Sequence, residues 1–178
     1  HQLPITNAKP RNLAGQLYTV DAERGVWRLM THIPGEVHDV ARDAKMCRSA
    51  GGLVARFHRV VQSLTQPLIG TRSGVHDTAA HLTRLGQAIE DHAKHTAFAQ
   101  IAQVATAILD HARTLATIDN LPQRIVHGDL KLSNIVFSPT GEAHCLIDLD
   151  TLGHMPLAVE LGDAWRSWCN RFAEDNLA

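Results

Sequence analysis

The sequence predicts an α+β fold, mostly helical, with one short β-hairpin that carries the chemistry. Three observations lead there. Of the 178 residues 44% are hydrophobic but only 4% aromatic, so a core must be assembled from Leu, Ala, Val and Ile, a composition suited to packed helices rather than to a sandwich. Between residues 39 and 115 apolar residues recur every three or four positions, the period of amphipathic helices. After Pro122 the texture changes to the short β-rich runs RIVH, NIVF and HCLID, the last two separated by SPTGEA. Pro139 restricts φ and Gly141 frees it, which suits a tight turn between antiparallel strands.

The totals narrow the classes. A chain of 178 residues can build one core that buries roughly 70% of its unfolded surface. Seventeen basic and 18 acidic residues leave a formal charge of -1, too little for a broad field that attracts nucleic acid or anionic lipid. Cys47, Cys145 and Cys169 are odd in number and form no CxxC pair, so they are expected to be reduced core thiols of a cytoplasmic protein. No apolar run approaches the roughly 18 residues of a membrane span, and no charged-then-apolar leader opens the chain; a soluble, intracellular protein is expected. The start at His1 and the helical-looking end NRFAEDNLA read as a piece of something longer.

In chain order, residues 1–15 hold two prolines and no periodicity, a loop. QLYTV and GVWRLM, separated by DAER, suit a hairpin, and THIPGE breaks it. From Asp39 a helical face is expected along Val40, Ala44, Cys47, Gly51, Val54, His58 and Val61, with Gly51 and Gly52 marking close approach of another backbone. A linker with Pro67 and Gly70 precedes a second helix on Leu82, Leu85, Ile89 and His92. A third follows on Phe98, Ile101, Ala105, Ile108, Ala112 and Leu115, stopped by DNLP. Residues 157–172 return to helical spacing, with Val159, Leu161, Trp165, Trp168 and Phe172 as the expected buried face. The two tryptophans are read as packing before they are read as a sugar platform.

The chemistry concentrates in IVHGDLKLSNIVFSPTGEAHCLIDLD, residues 125–150. If residues 135–137 pair with 144–147, Asn134 and Asp148 emerge side by side at the hairpin's open end, across roughly 5 Å. An amide oxygen and a carboxylate there form half of a site for a hard divalent cation such as Mg²⁺, which completes its shell with water and phosphate oxygens. Asp129, five residues before Asn134 and next to the flexible Gly128, can accept the proton of a hydroxyl that attacks a phosphoryl group. Lys131 either aims its ammonium at that phosphate or is an ordinary solvated lysine.

HGDLKLSN followed by LIDLD resembles the catalytic loop and metal-binding segment of the aminoglycoside phosphotransferase and choline kinase superfamily, relatives of protein kinases with their H-R-D-L-x-x-x-N and D-F-G patterns. LIDLDTLGHMPLAVELGDAWRS is most similar to the N-acetylhexosamine 1-kinase branch, and AGGLVARFH resembles the helix after the hinge. The resemblance implies a protein-kinase-like C-terminal lobe over residues 36–178, incomplete at its end, with an N-lobe remnant and hinge over 1–35. It implies Asp129 as catalytic base, Asn134 and Asp148 as Mg²⁺ ligands, and His127 as a loop support. ATP would meet Met30, Thr31, His32, Ile33 and Ile147, and a small-molecule hydroxyl substrate, a sugar or amino alcohol, would meet Asp150, Asp163 and Arg166. The phosphate-covering loop and strand lysine of that family have no counterpart before Tyr18, and GTRSG at 70–74 lacks the G-K-[ST] ending of a Walker loop.

Blander readings stand beside these. Asp163 and Arg166, three apart, suit an intrahelical ion pair. The twelve histidines, with His92 and His95 or Asp77 and His81 at helical spacing, suit solvated faces rather than zinc, since no H-E-x-x-H motif is present. Besides a kinase acting on a sugar, an aminoglycoside or an amino alcohol, a non-catalytic binding module and a metal-dependent hydrolase built on His127 and Asp129 remain open.

Overall fold

A computed structural model describes residues 11–172, apart from positions 24, 73, 117 and 119. The first ten residues of the expected leading loop and the run after Phe172 lie outside the described residues. The first hairpin forms, though shorter than its apolar runs: β1 (Thr19–Asp21) pairs antiparallel with β2 (Gly25–Trp27), both exposed throughout. Beyond it the chain bends back, and Glu36 exchanges two backbone hydrogen bonds with Phe137 at 2.9 and 2.8 Å. Gly35 permits the approach. Its φ is +148°, and a Cβ there would stand 2.5 Å from the Phe137 carbonyl oxygen and from Val136 Cγ1.

Helix α1 (Ala44–Val61) begins where the Asp43 carboxylate accepts from Met46 N–H at 2.7 Å, five residues later than the periodicity from Asp39 suggests. Its inward face is Met46, Ala50, Leu53, Val54 and Phe57; Val54 and the partly covered Val61 are there as expected, but the centre of the face is turned by one position, about 100°, from the expected one. The larger side chains decide this: Met46, Leu53 and Phe57 remove more apolar area from water than Cys47, Gly51 and His58 would. The expected backbone approach at Gly51 and Gly52 is not found. A Cβ at Gly51 would meet nothing within 4 Å, and one at Gly52 only the Arg56 guanidinium at 3.6 Å.

Helices α2 (Thr78–Asp91), capped by Asp77, and α3 (Phe98–Ala112) pack on each other as an αα-hairpin. Ala105 is buried between them, while Ile101, Val104 and Ile108 stay largely exposed. Next come β3 (Gln123–Val126), β4 (Ile135–Phe137), β5 (Ala143–Leu146) and β6 (Gly153–Pro156). β4 pairs antiparallel with β5, as expected, and β3 with β6. GHMP carries none of the usual strand residues, and only its pairing with β3 makes it a strand.

Helix α4 (Leu157–Trp168) closes the fold. Its buried residues are Glu160, Ala164 and Ser167, with Trp168 partly covered, whereas Trp165 and Phe172 are each 67% exposed. Of the expected apolar face Trp168 packs against the core and Val159 is half-buried, but Leu161, Trp165 and Phe172 are exposed, and the fully buried positions lie one residue over. The polar groups turn inward because backbone groups of residues 128–132 need partners there, and an unpaired buried N–H or C=O costs more than an exposed apolar ring. The core joins Met46, Ala50, Leu53 and Phe57 of α1 to Leu130, Leu132, Ile135, Phe137, Leu146 and Ala164. Of the three free thiols only Cys145 is buried; Cys47 is half-buried and Cys169 exposed. Among the described residues no helix is long and apolar enough to cross a membrane.

Candidate active site

Strand β3 delivers His127 into the core, fully buried. Its Nε2 donates to the Ile147 carbonyl at 2.8 Å, and its Nδ1 accepts the Asp129 N–H at 3.4 Å. A carbonyl can only accept, so the ring carries a proton on Nε2 and offers the Nδ1 lone pair. The histidine thereby ties the loop to the end of β5, the supporting role expected of it. Thr151 Oγ1 donates to the His127 carbonyl at 2.9 Å.

Gly128 sits at φ +80°, and a Cβ there would stand 2.5 Å from the Thr151 carbonyl oxygen. Its N–H donates to Glu160 Oε2 at 3.0 Å, and its carbonyl meets His76 Nε2. Further along, Trp168 Nε1 donates to the Leu130 carbonyl and Leu132 N–H to Ser167 Oγ, both at 3.0 Å. Glu160 is 1% exposed. Its second oxygen lies 2.9 Å from His58 Nε2 of α1, a close contact without the alignment of a hydrogen bond. α1, α4, the linker before α2 and the turn before β6 thus all grip one short loop.

What the grip presents is Asp129, its side chain 27% exposed. Asn134, in a 3₁₀ turn (Leu132–Asn134), donates from Nδ2 to the Asp129 carbonyl at 2.8 Å and to Asp129 Oδ2 at 3.0 Å. Lys131 Nζ lies 3.2 Å from the same Oδ2. Two donors orient the carboxylate, and neither contact uses Oδ1. With its Nδ2 engaged, Asn134 has Oδ1 as its remaining polar side-chain atom.

The hairpin register differs from the expected one by a residue. Asn134 O accepts the Ile147 N–H at 2.9 Å, so Asn134 faces Ile147, and Asp148 lies one step beyond. The five-residue reach Ser138–Glu142 and an irregularity between Val136 and Phe137 set this pairing. Asp148 is exposed and has φ 60° and ψ 59°, the one non-glycine positive φ among the described residues. That conformation costs on the order of 1 kcal/mol or more and clusters at functional sites. Asn134 Oδ1 and the Asp148 carboxylate are hard oxygen donors. Among the described residues no group of three His, Cys, Asp or Glu could hold a metal ion. A cation bound by these two would take its other ligands from water or substrate phosphate, as Mg²⁺ does and Zn²⁺ structural sites do not.

The other expected site residues are placed as follows. Met30, Thr31 and His32 are exposed and Ile33 half-buried, in the segment leaving β2. Ile147 is half-buried, with both backbone groups engaged by His127 and Asn134. Asp150 Oδ1 lies 3.9 Å from Arg28 Nη2, an exposed pair worth little by itself. Arg166 Nη2 donates to Asp163 Oδ1 at 2.8 Å, one helical step apart. The structure thus gathers Asp129, Lys131 and Asn134 in one bonded set, with His127 linking it to Ile147. Thr151, Glu160 and Ser167 lie within LIDLDTLGHMPLAVELGDAWRS and His58 ends AGGLVARFH, but neither run says what these side chains do, and His76 lies outside both. Glu160 alone leaves a trace in the sequence, a charge between apolar residues of α4.

Solved structures with the same fold are kinases of small molecules. The amicoumacin kinase hAmiN, in complex with AMP-PNP, Ca²⁺ and Ami, aligns with TM-score 0.57 at 14% identity over 92% of this chain and 48% of its own. An aminoglycoside-3'-phosphotransferase of type VIII aligns with TM-score 0.54 at 16% identity over 94% of this chain and 59% of its own. APH(3'')-Id from Streptomyces rimosus, with ADP and streptomycin, gives 0.52 at 19% identity over 90% and 61%. The fold is therefore that of a kinase-like aminoglycoside phosphotransferase, and the chain spans roughly half to three-fifths of the length of these proteins. The chain belongs to the phosphotransferase enzyme family, which matches residues 3–177.

Proposed function

We propose that this chain is the hinge and C-terminal lobe of an ATP-dependent phosphotransferase that moves the γ-phosphoryl group to a hydroxyl of a small molecule, a sugar being the favoured acceptor. The observation that carries the reading is the Asp129 carboxylate, oriented through Oδ2 by Asn134 at 3.0 Å and Lys131 at 3.2 Å and still open to solvent. The acceptor oxygen attacks the γ-phosphorus, its proton passes to Asp129, and ADP leaves. Lys131 sets local positive charge beside the reacting groups. Asn134 Oδ1 and Asp148 are the residues that would hold Mg²⁺, which neutralises phosphate charge when bound. Met30 to Ile33 and Ile147 would border the adenine, and Asp150, Asp163 and Arg166 would stand on the acceptor side. The sugar assignment rests on the likeness of LIDLDTLGHMPLAVELGDAWRS to hexosamine kinases.

A second acceptor class, aminoglycosides, is favoured by the similar structures, which include two aminoglycoside phosphotransferases. The test is a phosphoryl-transfer assay with ATP and Mg²⁺ over N-acetylated hexosamines, aminoglycosides and amino alcohols, using the natural protein that carries this chain. Turnover of one class, reduced about 10²- to 10⁴-fold by Asp129→Asn with unfolding unchanged, supports the reading. Metal-dependent phosphate release without nucleotide points to a hydrolase, and acceptor binding with no transfer from ATP to a non-catalytic module; either result refutes it.

A further inference from the structure

His76 lies 52 residues before Gly128, in the linker ahead of α2 and outside every motif, yet its Nε2 meets the Gly128 carbonyl. We propose that His76 is a positioning residue for Asp129, an inference that rests on Asp129 being the base. The geometry concerns two peptide planes that meet at Gly128. The plane on its N-terminal side is held by Glu160, which accepts the Gly128 N–H at 3.0 Å. The plane on its C-terminal side joins Gly128 to Asp129, and because a peptide is rigid, fixing its carbonyl fixes the departure of the Asp129 backbone.

Apart from His76, that second plane is held by the Asp129 N–H to His127 Nδ1 contact, long at 3.4 Å. Glycine is also the residue whose backbone rotates most freely, so this plane is the loop's easiest to tip. A tip there would swing the carboxylate away from Asn134 and Lys131. His76 opposes it. Since a carbonyl only accepts, His76 carries a proton on Nε2 whenever the bond is made.

The same ring lines a cavity of about 740 Å³ with Arg72, Asp77, Gln123, His154 and Met155. The linker therefore walls a space large enough for a small molecule and steers the loop from one residue.

The test compares wild type, His76→Ala and His76→Gln, the glutamine offering an amide N–H in place of the ring Nε2–H. Backbone amide exchange of Gly128, Asp129 and Leu130 is followed by NMR, and phosphoryl transfer is followed in the natural protein. In His76→Ala the Asp129 amide is expected to exchange about tenfold faster and kcat to fall about tenfold, with KM for ATP held within about twofold, as loss of one such bond implies. His76→Gln should recover both to within about threefold. Unchanged exchange in His76→Ala, or a glutamine variant no better than alanine, overturns the proposal. If wild type transfers no phosphoryl group, exchange alone decides: acceleration rescued by glutamine keeps the positioning role while the phosphotransferase reading falls.

Discussion

Glu160→Ala should be among the most damaging single changes in this chain, although its only trace in the sequence is a charge set between apolar residues. The carboxylate is 1% exposed; it accepts the Gly128 N–H at 3.0 Å and stands 2.9 Å from His58 Nε2. Removing it leaves a buried N–H without an acceptor, about 1–3 kcal/mol, and strips His58 of its facing charge. Because Gly128 is itself buried, the upper end applies, about 3 kcal/mol. At roughly 2–4 °C per kcal/mol for a chain of this size, the melting temperature should fall by about 6–12 °C. Glu160→Gln keeps an oxygen toward Gly128 and should lose only about 1 kcal/mol. Urea unfolding followed by circular dichroism measures both, and a cycle with His58→Ala should show coupling of about 1 kcal/mol. A loss below about 1 kcal/mol for Glu160→Ala, or equal losses for Ala and Gln, would refute the argument that this carboxylate anchors the loop.

Three further outcomes follow from the geometry. Gly128→Ala places a Cβ 2.5 Å from the Thr151 carbonyl at φ +80°; it should cost at least about 2 kcal/mol in urea unfolding, and a wild-type stability would show that the loop adapts freely. Gly35→Ala should weaken the Glu36–Phe137 bridge by crowding Phe137 and Val136, read as faster amide exchange at both residues, and unchanged exchange would contradict it. Burial pushes the Cys145 thiol above its ordinary 9.0, so at alkaline pH the unfolded chain releases this proton first. Stability from this group is complete below 9.0 and is lost as pH climbs toward the raised folded value. Unfolding of wild type and Cys145→Ala from pH 7.5 to 10 should diverge above that point; parallel curves would count against it.

Elements close in sequence were legible in proportion to how local their causes are. The hairpin of β4 and β5 was readable because Pro139 and Gly141 punctuate two short apolar runs. The Asp129, Lys131, Asn134 set was readable because six consecutive residues and one 3₁₀ turn bring it together. Hydrophobic periodicity placed all four helices and the inward Val54, Val61 and Trp168, but missed the centre of the buried face of α1 and α4 by one residue. In α4 the error has a definite cause: Glu160 and Ser167 are drawn in by hydrogen-bonding demand of the loop backbone, which a count of apolar positions does not register, while Trp168, expected inside, is there. β6 escaped notice because a glycine and a proline bound it, and its partner β3 lies about thirty residues away.

The sequence by itself determined the chemistry on offer: a carboxylate, an ammonium, an amide and a second acid at intervals suited to phosphoryl transfer, on a mostly helical α+β chain. Only the tertiary structure decided how those groups are held. The grip on the loop comes from His58, His76, Thr151, Glu160, Ser167 and Trp168, contributed by separate elements. All but His58, which faces Glu160, are there because a buried peptide group must find a partner, and no local pattern says which distant side chain will supply it.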